Sequence, residues 1–151
     1  MENKLASSFV IELYKSCLTD IKILDICKTH LQFSFLESDA QKKLFKYIYD
    51  HCDLQSTIPS PGVIAQAFRS DSDVLSFLKQ VKDISLQQSD RDHIVSSLEE
   101  FIKKSKFVAL FNEAHDLYQG NKQEEAIALV AKESQLINDF ELKENYYTTV
   151  F

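Results

Sequence analysis

Phe107-Val108-Ala109-Leu110-Phe111 is an unbroken run of five apolar residues near the middle of a charged segment. Successive side chains on a helix are about 100° apart, so these five point in every direction around the axis. A helix that is apolar all round has to be covered on several sides. Upstream, Ser89-Asp-Arg-Asp92 can open a helix with acidic residues at its positive end. No helix breaker follows until Gly120, which is placed to be a left-handed C-cap. The helix between them would hold about thirty residues and run ~45 Å at ~1.5 Å per residue. Asn121-Lys-Gln-Glu124 then reads as a second cap, opening a helix that carries Ala126, Ile127, Leu129, Val130 and Ile137. Two long helices around one turn predict an αα-hairpin over 89–140.

A partner helix covers only one side of the 107–111 run. The remaining cover comes either from another subunit or from the hairpin folding back on its own N-terminal helices. The first option predicts self-association, with Leu98, Phe101, Phe107, Val108, Phe111 and Leu117 on the first arm and Ile127 and Val130 on the second as interface residues.

The N-terminal part, 5–88, reads as a small multi-helix globular body. Phe9, Val10, Leu13, Tyr14, Cys17 and Leu18 follow Ser7-Ser8 at helical spacing and form one apolar stripe. Asp20 can cap a second helix bearing Ile23, Leu24, Ile26 and Cys27. Leu31 to Leu36 alternates like a strand, but no second strand exists to pair with it. It is therefore expected as a loop holding buried aromatic plugs. Ser38-Asp-Ala-Gln41 fits a capping box ahead of Leu44, Phe45, Ile48, Tyr49 and Cys52. Ser60-Pro61 signals a short helix burying Val63, Ile64, Ala67 and Phe68. Asp71 or Ser72 opens the next, with Val74, Leu75, Leu78 and Val81 inward. Residues 141–151 form a tail whose Tyr146, Tyr147 and Phe151 have no helical period. The expected fold class is all-α, a helical body followed by a long two-helix hairpin.

Composition narrows the chemistry. The 151 residues carry 44% apolar and 26% charged side chains, enough apolar content for a buried core. With only Gly62 and Gly120, neither a phosphate-cradling P-loop nor a three-glycine dinucleotide fingerprint can be written. The net charge of −6 opposes strong nucleic-acid binding. So does the hairpin, where ten acids face six bases between Ser89 and Phe140. Lys103, Lys104 and Lys106 make one basic cluster, which suits the rim of an interface and would set its register rather than its affinity. No apolar run reaches membrane-spanning length and the N-terminus lacks a signal-peptide core, so a cytoplasmic protein with reduced thiols is expected.

This order of elements resembles the N-terminal domain of DnaB-type replicative helicases, with the chain as a distant member. Leu13 to Asp25 matches the opening helix, turn and second helix of that family. Phe33-Ser-Phe35 stands where the family has an aromatic plug, and Lys43-Leu-Phe-Lys-Tyr-Ile48 looks like its third helix. Ile58-Pro-Ser-Pro-Gly-Val-Ile64 resembles the turn into its next short helix. Asp92-His-Ile-Val95 through Phe111 matches the first arm of its hairpin, and Glu124-Glu-Ala-Ile127 the returning arm. Arg69-Ser-Asp-Ser-Asp73 replaces a Gly-Gly turn of the family, and Lys103-Lys104 replaces a basic–acidic pair. The resemblance implies a non-catalytic domain that pairs through its hairpin and builds a ring-shaped collar, a trimer of dimers above a hexameric motor; the residues themselves leave dimer and hexamer open. It also implies a surface for primase or a helicase loader, and a separate motor domain that hydrolyses ATP. It implies no cofactor and no direct nucleic-acid contact.

Other constellations are weaker. Cys27 with His30 and His51 with Cys52 could make a zinc site, but close-spaced knuckle pairs are missing, and buried thiols with surface imidazoles are the better reading. His93 and His115 lie about six turns apart and cannot cooperate. Glu99-Glu100 and Glu124-Glu125 are sequence neighbours, which do not face each other on a helix. Two competing readings remain: a generic helical adaptor of a phage or mobile-element regulator, and a small metal-dependent enzyme.

Overall fold

Val10, Leu13, Tyr14 and Cys17 are wound onto one face of α1 (Ser7–Thr19), and all four are buried. The computed structural model describes residues 4–142 and is all-α, with seven helices, one 3-10 turn and no strand among them. The chain divides into two units, one ending at Ile94 and the other beginning at Val95, inside the sixth helix.

In the first unit, α1 packs against α2 (Ile21–His30) and α5 (Ser72–Asp83). α5 in turn packs against α3 (Asp39–Gln55) and α4 (Pro61–Ala67). Tyr14 is the centre of this arrangement. Its ring meets Phe45 of α3 edge-on at 5.1 Å and Phe77 of α5 at 5.8 Å. Such crossed rings place the positive edge of one against the negative face of another. The buried Tyr14 hydroxyl donates to the Leu44 carbonyl at 3.4 Å. Burial pushes the Tyr14 phenol well above its usual range.

The caps follow the residues that announced them. Asp20, Ser38, Ser60 and Asp71 accept from the backbone N–H groups of Lys22, Gln41, Val63 and Val74. Only half of the expected capping box forms: Gln41 is buried and its Oε1 accepts no hydrogen bond among the described residues, so it does not reach back to the Ser38 amide. Lys15 of α1 closes the far end of α5, donating to the carbonyls of Val81, Lys82 and Ile84. These are orphan acceptors that the helix itself cannot satisfy. Phe33–Phe35 is a 3-10 turn, and its Phe35 carbonyl accepts from the Leu5 amide at 2.8 Å. Phe35 is buried, whereas Phe33 is largely exposed and stacks on Tyr49 at 6.0 Å. Within α4, Ile64 is buried while Val63 and Ala67 face solvent, because seven residues present only one narrow inward edge. Phe77 is a core residue that the α5 pattern passed over.

The second unit holds most of α6 (Gln88–Gln119), a 32-residue helix, and α7 (Gln123–Asn138). The turn between them departs from expectation. Gly120 does not adopt the left-handed conformation; Asn121 does, at φ 63°. The Lys122 amide donates to the Leu117 carbonyl at 2.9 Å and the Asn121 amide to the Tyr118 carbonyl at 3.2 Å. This is the paired closure of a Schellman ending, with asparagine at the left-handed position. The N-cap position of α7 falls to Lys122, which supplies no side-chain cap. At the other end of the hairpin, Glu99 accepts from the Leu142 amide at 2.7 Å, and Leu142 is fully buried. Tyr146, Tyr147 and Phe151 lie outside the described residues.

Two consequences are measurable. A Cβ at Gly120 would sit 3.4 Å from the Asp116 carbonyl oxygen, an ordinary contact. Gly120→Ala should therefore raise stability by about 0.4–1 kcal/mol through the unfolded chain. Asn121→Val should cost about 1–2 kcal/mol. Thermal denaturation checks both, and the opposite ordering would return the left-handed role to Gly120.

Asp71 provides the second. The Val74 amide, then the Lys43 ammonium at 3.1 Å, hold its carboxyl below the usual carboxylate range. Its stabilisation is complete above the unfolded value of about 4 and disappears as pH falls through the lower folded value. The melting-temperature advantage of wild type over Asp71→Asn should be constant from pH 6 to 8 and shrink in acid. An advantage that grows in acid would contradict this assignment.

Candidate functional site

Two antiparallel helices share a single seam. In the second unit that seam buries Leu110 from α6 and Ala126 and Ile137 from α7. Val95, Leu98 and Ile102 of α6 are buried as well, but other apolar side chains of the two helices stand open. Phe111 is 57% exposed, Tyr118 59%, Ile127 70% and Leu136 57%. Isolated exposed apolar side chains are common, but neighbouring ones along one groove mark a binding surface.

These four divide between two grooves, Phe111, Tyr118 and Ile127 on one and Leu136 on the other. One, of about 550 Å³, is lined by Phe111, Ala114, His115 and Tyr118 of α6 and Ala126, Ile127, Val130 and Ala131 of α7. Its lining combines three alanines with aromatic and branched side chains. Phe107 lies nearly parallel to Phe111 with ring centroids 6.2 Å apart. The other groove, of about 530 Å³, includes Ala109, Leu110, Leu129, Leu136 and Ile137, but also Lys106, Glu113 and Glu133. The first is apolar with one imidazole, and the second is mixed in charge.

The residues singled out from sequence therefore separate. Phe111 and Ile127 stand open on the first groove, and Val130, half-buried, lines it. Phe101, Phe107, Val108 and Leu117 are half-buried. Leu98 is 1% exposed, so its side chain presents nothing to a partner. Tyr118 and Leu136 also stand open but were missed. Both fit a helical stripe as well as a core residue would, and periodicity cannot tell an open stripe from a covered one.

Two of the three lysines of the basic cluster are engaged locally. Lys103 donates to the Asn138 carbonyl at 3.2 Å, closing the end of α7, and Lys106 lies over the Phe140 ring at 4.0 Å. Lys104 is exposed and has no partner among the described residues.

The thiols and imidazoles do not converge. Cys17 donates to the Cys27 sulfur at 3.6 Å, and both are buried between α1 and α2. Burial, then this contact, push the Cys17 thiol well above its usual range. Cys52 is only half-buried, and the His51 ring lies 6.2 Å from Tyr47. Among the described residues no three His, Cys, Asp or Glu side chains are grouped to hold a metal ion. No described helix is long and apolar enough to cross a membrane.

No protein-family model, curated protein or solved structure matches this chain.

The thiols offer a direct check of the first unit. A water-soluble disulfide reagent at pH 8 should label Cys52 first, and label Cys17 and Cys27 only when the chain unfolds. Equal labelling rates at all three would contradict the packing of α1 on α2.

Proposed function

We propose that this chain is a non-catalytic assembly and partner-recruitment module that pairs through its α6–α7 hairpin. The model for its role is the N-terminal collar domain of DnaB-type replicative helicases. The observation that supports it most is the open apolar band of Phe111, Tyr118 and Ile127 along one groove of a hairpin that has only one seam. An uncovered band of this kind gains free energy when another subunit removes it from water, at ~25 cal/mol per Å² of apolar surface. The order of elements agrees with the resemblance: short helices, a long helix, a turn and a returning helix.

On this reading the chain works in the cytoplasm. It binds no cofactor, catalyses no reaction and contacts no nucleic acid directly. Unwinding and ATP hydrolysis belong to a motor domain with a P-loop. The second groove, with Lys106, Glu113 and Glu133 around its apolar floor, suits a different protein such as primase or a loader. Mixed charge at a groove favours steering and specificity over permanent burial. That same groove also favours the competing reading, a generic adaptor outside replication. Co-purification with a primase supports the replicative role, and a stable complex with an unrelated regulator supports the adaptor.

Phe111 is the residue to test, because Phe107 is partly inside the hairpin and its loss would disturb the fold. At about 100 µM the chain should scatter light as a dimer or larger ring. Phe111→Asp should weaken association by about 30-fold or more, since a charge in an apolar interface costs about 2–4 kcal/mol. Its melting temperature should stay close to wild type. A monomeric wild-type chain at that concentration rejects the proposal.

A further inference from the structure

Cys17 of α1 and Cys27 of α2 face each other across the corner between their helices, 10 residues apart in sequence. That corner is a single residue, Asp20, and it is held from several sides. Its amide donates to the Ser16 carbonyl at 2.8 Å, and its carboxylate accepts from the Lys22 amide at 3.0 Å. Arg91 pairs with the same carboxylate at 3.3 Å. A corner fixed in this way sets how α1 meets α2, and it brings sulfur against sulfur at 3.6 Å. A disulfide needs ~2.05 Å, so each sulfur has less than about 1 Å to travel. Neither cysteine has any exposed surface. Tyr49 of α3 belongs to the same compartment. Its buried hydroxyl has no hydrogen-bond partner among the described residues. Burial, then the nearby Cys27 and Cys17 thiols, push its phenol up. Cys52 stands apart from this arrangement and is half-buried.

We infer that Cys17 and Cys27 are an oxidisable pair, and that a low-molecular-weight disulfide converts their contact into a covalent staple between α1 and α2. The exchange runs in two balanced steps. One protein thiolate attacks a sulfur of the reagent and expels the first small thiolate, leaving a mixed disulfide. The other protein thiolate then attacks the protein sulfur of that mixed disulfide and expels the second. Two electrons pass from protein to reagent, and the two protein protons end on the small thiols released. Burial seals both sulfurs from the reagent, so exchange takes place before the chain folds or when α1 parts from α2. The same burial shields the finished bond from reductant, which latches the oxidised state. A reducing compartment keeps the pair as thiols, and a rise in its disulfide content sets the staple. This inference concerns the first unit alone and stands independently of the assembly role.

Refolding the full wild-type chain from urea in excess glutathione disulfide tests it, with remaining thiols alkylated before peptide mapping. The expected product links Cys17 to Cys27 and carries glutathione on Cys52. The linked chain should melt about 10 °C above the dithiol form, because the bond closes a short loop in the unfolded chain. Dithiothreitol in native buffer should strip glutathione from Cys52 quickly and leave the Cys17–Cys27 bond, which it should cut only once urea opens the fold. Glutathione on all three cysteines, or a bond from Cys52 to either of the others, overturns the pairing. A Cys17–Cys27 product that melts below the dithiol form overturns the staple. Reduction of that bond in native buffer as fast as Cys52 loses glutathione overturns the latch.

Discussion

Two helices can share only one seam, and the α6–α7 hairpin carries more apolar surface than that seam can hold. Leu110, Ala126 and Ile137 fill it. Phe111, Tyr118, Ile127 and Leu136 are what remains outside. A globular body solves the same problem by adding layers, as the first unit does with five helices. The hairpin has no further layer within its own unit, so its surplus stays open there. The two grooves differ in charge, and an apolar surface tolerates burial where a mixed one resists it.

The first unit is organised around Tyr14, whose ring is met by Phe45 and Phe77 and whose hydroxyl finds the Leu44 carbonyl. The same economy governs the helix ends. Asp20, Ser38, Ser60 and Asp71 satisfy amides at the starts of helices, and Lys15 and Lys103 satisfy carbonyls at the ends of α5 and α7. Each orphaned backbone group would otherwise lose a hydrogen bond worth about 1 kcal/mol net. The pattern leaves Ser16, Gln41 and Tyr49 with buried side-chain oxygens that accept or donate no hydrogen bond among the described residues.

Most helix starts were legible because their signals are local. A serine or aspartate needs only the amides two or three residues ahead, and proline at a first helical position needs no partner at all. Helix ends were less legible. The left-handed position at the hairpin turn went to Asn121 although Gly120 stands beside it. Either residue tolerates that conformation, and the choice depends on where the last turn of α6 closes. Inward faces were legible on long helices and not on short ones: the α1 stripe was read correctly, whereas Val63 and Ala67 of the seven-residue α4 turned out to be exposed. Among the interface candidates, Phe111 and Ile127 are open and Leu98 is buried, yet all three have the same helical spacing.

Sequence alone determined the all-α class, the hairpin and the excess of apolar surface around residues 107–111, since periodicity, caps and the absence of breakers are properties of consecutive residues. Only the tertiary structure decided which of those apolar residues are covered. That depends on how many layers surround each helix, and no stretch of sequence encodes the layer packed on top of it.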